Sequence, residues 1–239
     1  MLSTLLDVCW TFRLETLGAC SERLSQFMNE VRVYPVLEQW FRTANSRAQA
    51  LRRPLLDLSP AGLMKWHAET KQDVAETVQP LGFWFSAWNG QPDEASTGIS
   101  VRCGSYMPKG YESPDALPNY LEFDFPRPHN PSIQTPETMR GVMTAAIRAY
   151  DADHCRVYTL NFLEHMEDLR QRFAFPGWIT WFRGPVHPIP NLGDDATVEP
   201  FEGGALITLG ERPLDDERPE DVARLRDAYL KMRAAGYPV

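Results

Sequence analysis

The sequence is poor in features that announce an activity. Its 239 residues include four cysteines, Cys9, Cys20, Cys103 and Cys155, spread widely and without a C-x-x-C pair. That spacing argues against a disulfide framework or a zinc ribbon and favours free thiols in a reducing compartment. No apolar run approaches the roughly twenty residues a membrane span needs. The apolar stretch from Leu2 to Trp10 is interrupted by Asp7 and lacks the basic region and cleavage site of a signal peptide, so a cytoplasmic protein with no membrane partner is expected. Basic residues are outnumbered, 24 Lys and Arg against 32 Asp and Glu, giving a net charge of −8. Such a chain is not expected to grip nucleic acid phosphates. Glycine is sparse, 15 against 20 prolines, which points to stiff turns rather than flexible linkers. There is no internal repeat, no low-complexity run, no G-x-S-x-G elbow, no P-loop, and no G-x-G-x-x-G after a strand.

What the chain does have is core-forming material, 43% hydrophobic and 11% aromatic. That is enough for one domain over 1–239, or for two lobes divided near 126–135. The stretch Leu81–Gly90 stands out. On a pleat it places Phe83, Phe85 and Ala87 on one face and Trp84, Ser86 and Trp88 on the other. Aromatic residues on both faces predict a strand inside a sheet with material packed on both surfaces. Asn89-Gly90 then suits a tight turn.

Elsewhere the pattern predicts a first strand over Val8–Glu15 and further strands at Ile99–Cys103, Tyr120–Phe125, Cys155–Leu160, Gly177–Phe182 and Ala205–Leu209. Helices are predicted from Leu17 to Val31, after Pro35, from Ser59-Pro60 to about Val78, from Thr135-Pro136 to Tyr150, and from Pro219 to Gly236. Ser59 and Thr135 serve as caps, each followed by proline at the first helical position. The segment from Pro185 to Pro200 reads as a loop. The arginines Arg47, Arg52 and Arg53 read as a solvated connection. This order predicts an α+β fold with a mainly antiparallel sheet flanked by helices and closed by a C-terminal amphipathic helix.

Candidate chemistry is thin. Cys155 follows His154, and adjacent strand residues point to opposite faces, so the two cannot form a thiolate–imidazole pair. His67 reads as a packing histidine, and nothing marks His129 or His187 as a base. The one metal-like set is Asp151, Asp153, His154 and His165 with Glu164, which would suit a metal-dependent hydrolase but lacks H-E-x-x-H spacing. Paired acids occur at Glu167-Asp168, Asp194-Asp195 and Asp215-Asp216-Glu217. The last two groups read better as anionic surface than as general acids.

The combination Gly82–Gly90, Ser100–Gly104 and Pro176–Phe182, with the tail Gly203–Leu209 and the helix Pro219–Gly236, resembles the immunity protein 52 family of bacterial polymorphic toxin systems. The resemblance implies a non-enzymatic protein, without cofactor or metal, that binds and neutralises a cognate toxin. It also implies that the toxin is a basic nuclease effector delivered by specialised (type VI) secretion. The family offers no catalytic residues to carry over. Anionic charge agrees with such a partner, because a surface that receives nucleic acid is basic. The expected contact residues are Asp194, Asp195, Glu199, Glu202, Asp215, Asp216 and Glu217. A scaffold or adaptor without a toxin is a third reading, which the gene's neighbourhood would separate.

Overall fold

The computed structural model describes residues 4–69, 73–106, 119–126, 130, 133–165, 176–184 and 189–237. Alternating segments of the sequence become the strands β1 (Thr4–Trp10), β2 (Phe41–Arg42), β3 (Phe83–Trp88), β4 (Gly98–Cys103), β5 (Asn119–Asp124), β6 (His154–Thr159), β7 (Ile179–Arg183), β8 (Ala196–Phe201) and β9 (Gly204–Leu209). They form one antiparallel sheet of nine strands in the order β2-β3-β4-β5-β1-β6-β7-β9-β8. The first strand lies in the middle, with β5 on one side and β6 on the other.

The helices are α1 (Leu17–Val31), α2 (Arg47–Ala50), α3 (Pro60–Ala68), α4 (Pro136–Tyr150), α5 (Phe162–His165) and α6 (Pro219–Ala234). Four of them start on a side-chain cap, α2 on Ser46, whose Oγ accepts from Gln49 N at 3.3 Å, and the longer three likewise. Thr16 Oγ1 accepts from Ala19 N at 3.2 Å, Ser59 Oγ from Gly62 N at 3.1 Å, and Thr135 Oγ1 from Thr138 N at 3.1 Å. α6 opens instead on Pro219 with Glu220 and Asp221 in its first turn, where the helix dipole favours acids.

Helices α1, α3 and α4 cover one face of the sheet. Trp10 of β1 stacks on Tyr150 of α4 at 4.5 Å, and Phe27 of α1 meets both Tyr150 and Phe123. His67 of α3 packs between Phe83 and Phe85 and bonds Asp73 at 2.9 Å, as a packing histidine should.

The structure departs from the sequence reading in several places, among them the connection around Arg47, which holds α2, and Phe41, which is in β2 rather than in a helix after Pro35. β1 starts and ends earlier than Val8–Glu15. Past Trp10 the chain leaves the sheet, and Thr11 N donates to Asp153 while Arg13 reaches the Tyr150 carbonyl. α3 stops at Ala68, and Val74 and Val78 are exposed rather than inward. The segment instead turns back so that the carbonyls of Thr77 and Ala75 take the N–H groups of Leu17 and Gly18 at 2.9 Å, satisfying amides that the start of α1 leaves open. Asn89 is not half of a tight turn. It is buried and organises the β3–β4 connection, donating to Val36 O and Ala95 O and accepting from Thr97 N. Finally, β8 occupies part of the expected loop.

Gly177, just ahead of β7, shows how closely this sheet is assembled. A Cβ there would lie 2.1 Å from Val157 O and 2.8 Å from its carbonyl carbon, both main-chain atoms of β6. Gly177→Ala is therefore expected to destabilise the protein by about 2–3 kcal/mol, because the backbone of a paired strand must yield. An unchanged urea midpoint would contradict that close approach.

Candidate partner-binding face

Directly paired strand residues project from the same face. Following the register from β3, one row across the second face runs Ser86, Ser100, Glu122, Asp7, Arg156 and Thr180. Beside it runs Trp84, Arg102, Tyr120, Cys9, His154 and Phe182. The Phe182 end of these rows is covered. Tyr237, just beyond α6, lies 5.6 Å from Phe182, and Leu225 of α6 shares a small cavity with Tyr158 and Trp178.

The other end is accessible. Trp84 is 44% exposed, and Ser86, Trp88, Ser100, Tyr120, Glu122 and Asp124 are partly so. The expectation that both faces of β3 are packed is thus corrected: the Phe83 face is buried and the Trp84 face is not. Trp84 is supported sideways instead. Tyr120 meets it edge-on at 5.7 Å, and the Arg102 guanidinium lies 5.5 Å from its ring. Arg102 is itself nearly buried and fixed by Nε donating to Leu81 O at 2.9 Å. Burial lowers the Arg102 pKa and raises that of Tyr120.

Where the open and covered halves meet sits a buried charge. Asp7 Oδ2 accepts from Arg156 Nη2 at 2.9 Å, Arg156 Nε at 3.3 Å and Tyr158 Oη at 2.8 Å. Burial works against the Arg156 charge, but Asp7 outweighs it and the pKa is raised. Burial, then Asp7, raises Tyr158 and pushes Cys9 up to about 12, so both stay neutral. His154 is depressed to about 3, by burial and then by Arg156.

The acidic residues singled out in the sequence lie elsewhere, around β8 and the start of α6. Asp195 pairs with Arg224 at 2.7 Å, Glu199 with Arg140 at 2.6 Å, and Glu202 with both ends of the Arg148 guanidinium at 3.0 and 2.7 Å. Asp215 lies 3.4 Å from Arg218, and Asp216 is buried and accepts from Asn161 at 3.0 Å. Asp194 and Glu217 are exposed. The arginines come from α4 and α6, so much of this acidity holds helices to the sheet edge.

The alternative metal set does not assemble. Asp151 and Asp153 both engage Arg183, Asp151 also meets Arg13 at 3.4 Å, and Asp153 accepts from Thr11 N. His154 faces Phe182 at 4.8 Å, while His165 is exposed at the end of α5. Their ligand atoms form no cluster, because neighbouring arginines take the carboxylates and the strand turns His154 away. His129, His187, Glu167, Asp168 and the side chain of Glu164 lie outside the described residues.

A family model described as Immunity protein 52 matches residues 5–237. The chain belongs to the immunity protein 52 family. Among curated proteins nothing matches. Among solved structures, the Pseudomonas aeruginosa T6SS protein PA0821 is similar, with a TM-score of 0.57 at 13% identity, covering 97% of this chain and 73% of that one. At that identity the likeness speaks to the fold. Family membership was legible in the aromatic and glycine motifs, whereas the open face was not. It emerges from register, and alternation alone does not say which side of a strand is covered.

Proposed function

We propose that this member of the immunity protein 52 family binds a cognate secreted bacterial toxin, a basic nuclease effector, and neutralises it in the cytoplasm. It acts as one domain, by contact rather than catalysis. Family membership over residues 5–237 carries this reading. The open sheet face supports it with the residue types that dominate interface energetics: Trp84 and Tyr120 backed by Arg102, with Glu122 and Asp124 beside them. Of the acidic groups Asp194, Asp195, Glu199, Glu202, Asp215, Asp216 and Glu217, the exposed Asp194 and Glu217 add long-range attraction for a basic partner to that of the net charge, while Asp195, Glu199, Glu202 and Asp215 are offset by their arginines and Asp216 is buried.

The two contributions separate kinetically. Trp84→Ala is expected to raise the toxin's dissociation rate by about thirtyfold or more, as loss of an interface anchor does. Reversing Asp194 and Glu217 to lysine should slow association several-fold and flatten its salt dependence, leaving dissociation nearly unchanged. Surface plasmon resonance against the catalytically inactive product of the adjacent toxin gene reads both. The reading itself stands on growth rescue: co-expression with that toxin should restore growth, and failure to do so would sink it.

A further inference from the structure

Away from that face, α1 and β4 bring together three metal-ligating groups that toxin binding does not use. Glu15 precedes the Thr16 cap of α1, Cys20 lies in the first turn of α1, and Cys103 ends β4. One carboxylate oxygen and the two Sγ atoms all lie within 4.8 Å of one another. Both cysteines are fully buried, while the Glu15 side chain keeps 11% exposure. Arg23 places Nε and Nη2 on Glu15 Oε1 at 2.7 Å each, which leaves Oε2 for the thiols. The Cys103 thiol donates to that Oε2 at 3.5 Å. Ligating carboxylates are commonly anchored in this way by an outer hydrogen bond.

Two further observations point to a ligand. The Tyr150 hydroxyl is buried and has no hydrogen-bond partner among the described residues, and Tyr150 adjoins Ala149, whose carbonyl takes Nη1 of the same Arg23 at 2.9 Å. Gly104, at φ +79°, keeps the ground beside the cluster clear, since a Cβ there would lie 2.9 Å from Cys20 Sγ. Its left-handed backbone favours glycine in any case.

We infer that Glu15, Cys20 and Cys103 form a binding site for one thiophilic divalent cation of the zinc type, with a water as fourth ligand. Two thiolates and a carboxylate with one position left over suit tetrahedral zinc. On binding, both thiols release their protons to solvent and two metal–sulfur bonds and one metal–oxygen bond form. The three anionic ligands are then balanced by the dication and Arg23. Without a cation the Cys103 thiol is held protonated, its pKa raised by the hydrogen bond with Cys20, by burial and by the Glu15 charge.

Cobalt(II) titration of the full chain in a phosphine reductant tests this directly. A thiolate-to-cobalt charge-transfer band should grow and saturate at one equivalent, and one equivalent of zinc should abolish it. A C9S/C155S variant should keep the band, C20S and C103S should lose it, and E15Q should weaken cobalt binding at least about tenfold. No charge-transfer band from the unmodified chain at millimolar cobalt would overturn the inference, whether or not the variants fold. So would a band that survives in a C20S/C103S protein.

Discussion

Replacing Asp7 with alanine is expected to lower stability by about 3–5 kcal/mol, the cost of taking one member out of a buried ion pair. The carboxylate is 16% exposed and the Arg156 side chain 6%, so water has little access to relieve the loss. One oxygen of Asp7 takes three donor contacts, two from Arg156 and one from Tyr158. Removing it takes three donor contacts out of the centre of the sheet at once, since Asp7 is on β1 and its donors on β6. The double variant D7L/R156M should regain most of that loss, because a buried pair replaced by apolar groups of similar volume is often nearly neutral. Urea denaturation of the single and double variants decides it. A single variant within about 1 kcal/mol of the parent would show that Arg156 finds another route to solvation.

The second large effect is in acid. His154 holds a pKa of about 3 in the folded chain against an ordinary value of 6.5, through burial and then the Arg156 charge. A depressed folded value means that stability is fully present above pH 6.5 and falls as the pH drops towards 3. In that window the unfolded chain takes up a proton that the native chain refuses, and each pH unit removes up to about 1.4 kcal/mol. The imidazole keeps a partly accessible edge although its Nε2 is shut off, so a total loss of about 2–4 kcal/mol is expected. His154→Leu, which retains apolar contact with Phe182, should flatten the difference in stability between pH 6 and pH 4 by about 1–2.5 kcal/mol, the share of that loss falling in those two units. Reading variant against parent removes the carboxylate titrations they share. Parallel acid limbs would show that His154 protonates as freely in the folded state as in the unfolded one.

The parts legible in the sequence were those whose determinants are local. α1 followed from apolar spacing alone, α4 and α6 from apolar spacing with a cap or a starting proline, and the β3-β4-β5 meander from alternation. What failed was set by the rest of the chain. α3 is shorter than its apolar stripe because the main chain near Ala75 and Thr77 serves the open amides at the start of α1. β8 escaped notice because an edge strand needs no apolar face, and Pro200 and the acids around it look like loop residues. The acidic groups were found, but a string of residues does not reveal that Glu199 and Glu202 face arginines on α4 some fifty positions earlier. Trp84 was misread for the opposite reason, since a large aromatic in a strand looks like core until register shows what lies above it.

The two borders of the sheet carry a consequence for recognition. On one side β2 contributes two residues, and on the other β8 carries Pro200, which lacks an amide hydrogen. Counting back from the two-residue hairpin at Glu202-Gly203, position 200 is one whose amide would project away from β9. Neither margin therefore presents a long run of unpaired main-chain donors and acceptors for a foreign strand to zip onto. A binding partner must be met by side chains, whose identity can diverge between one immunity protein and the next while the backbone stays the same.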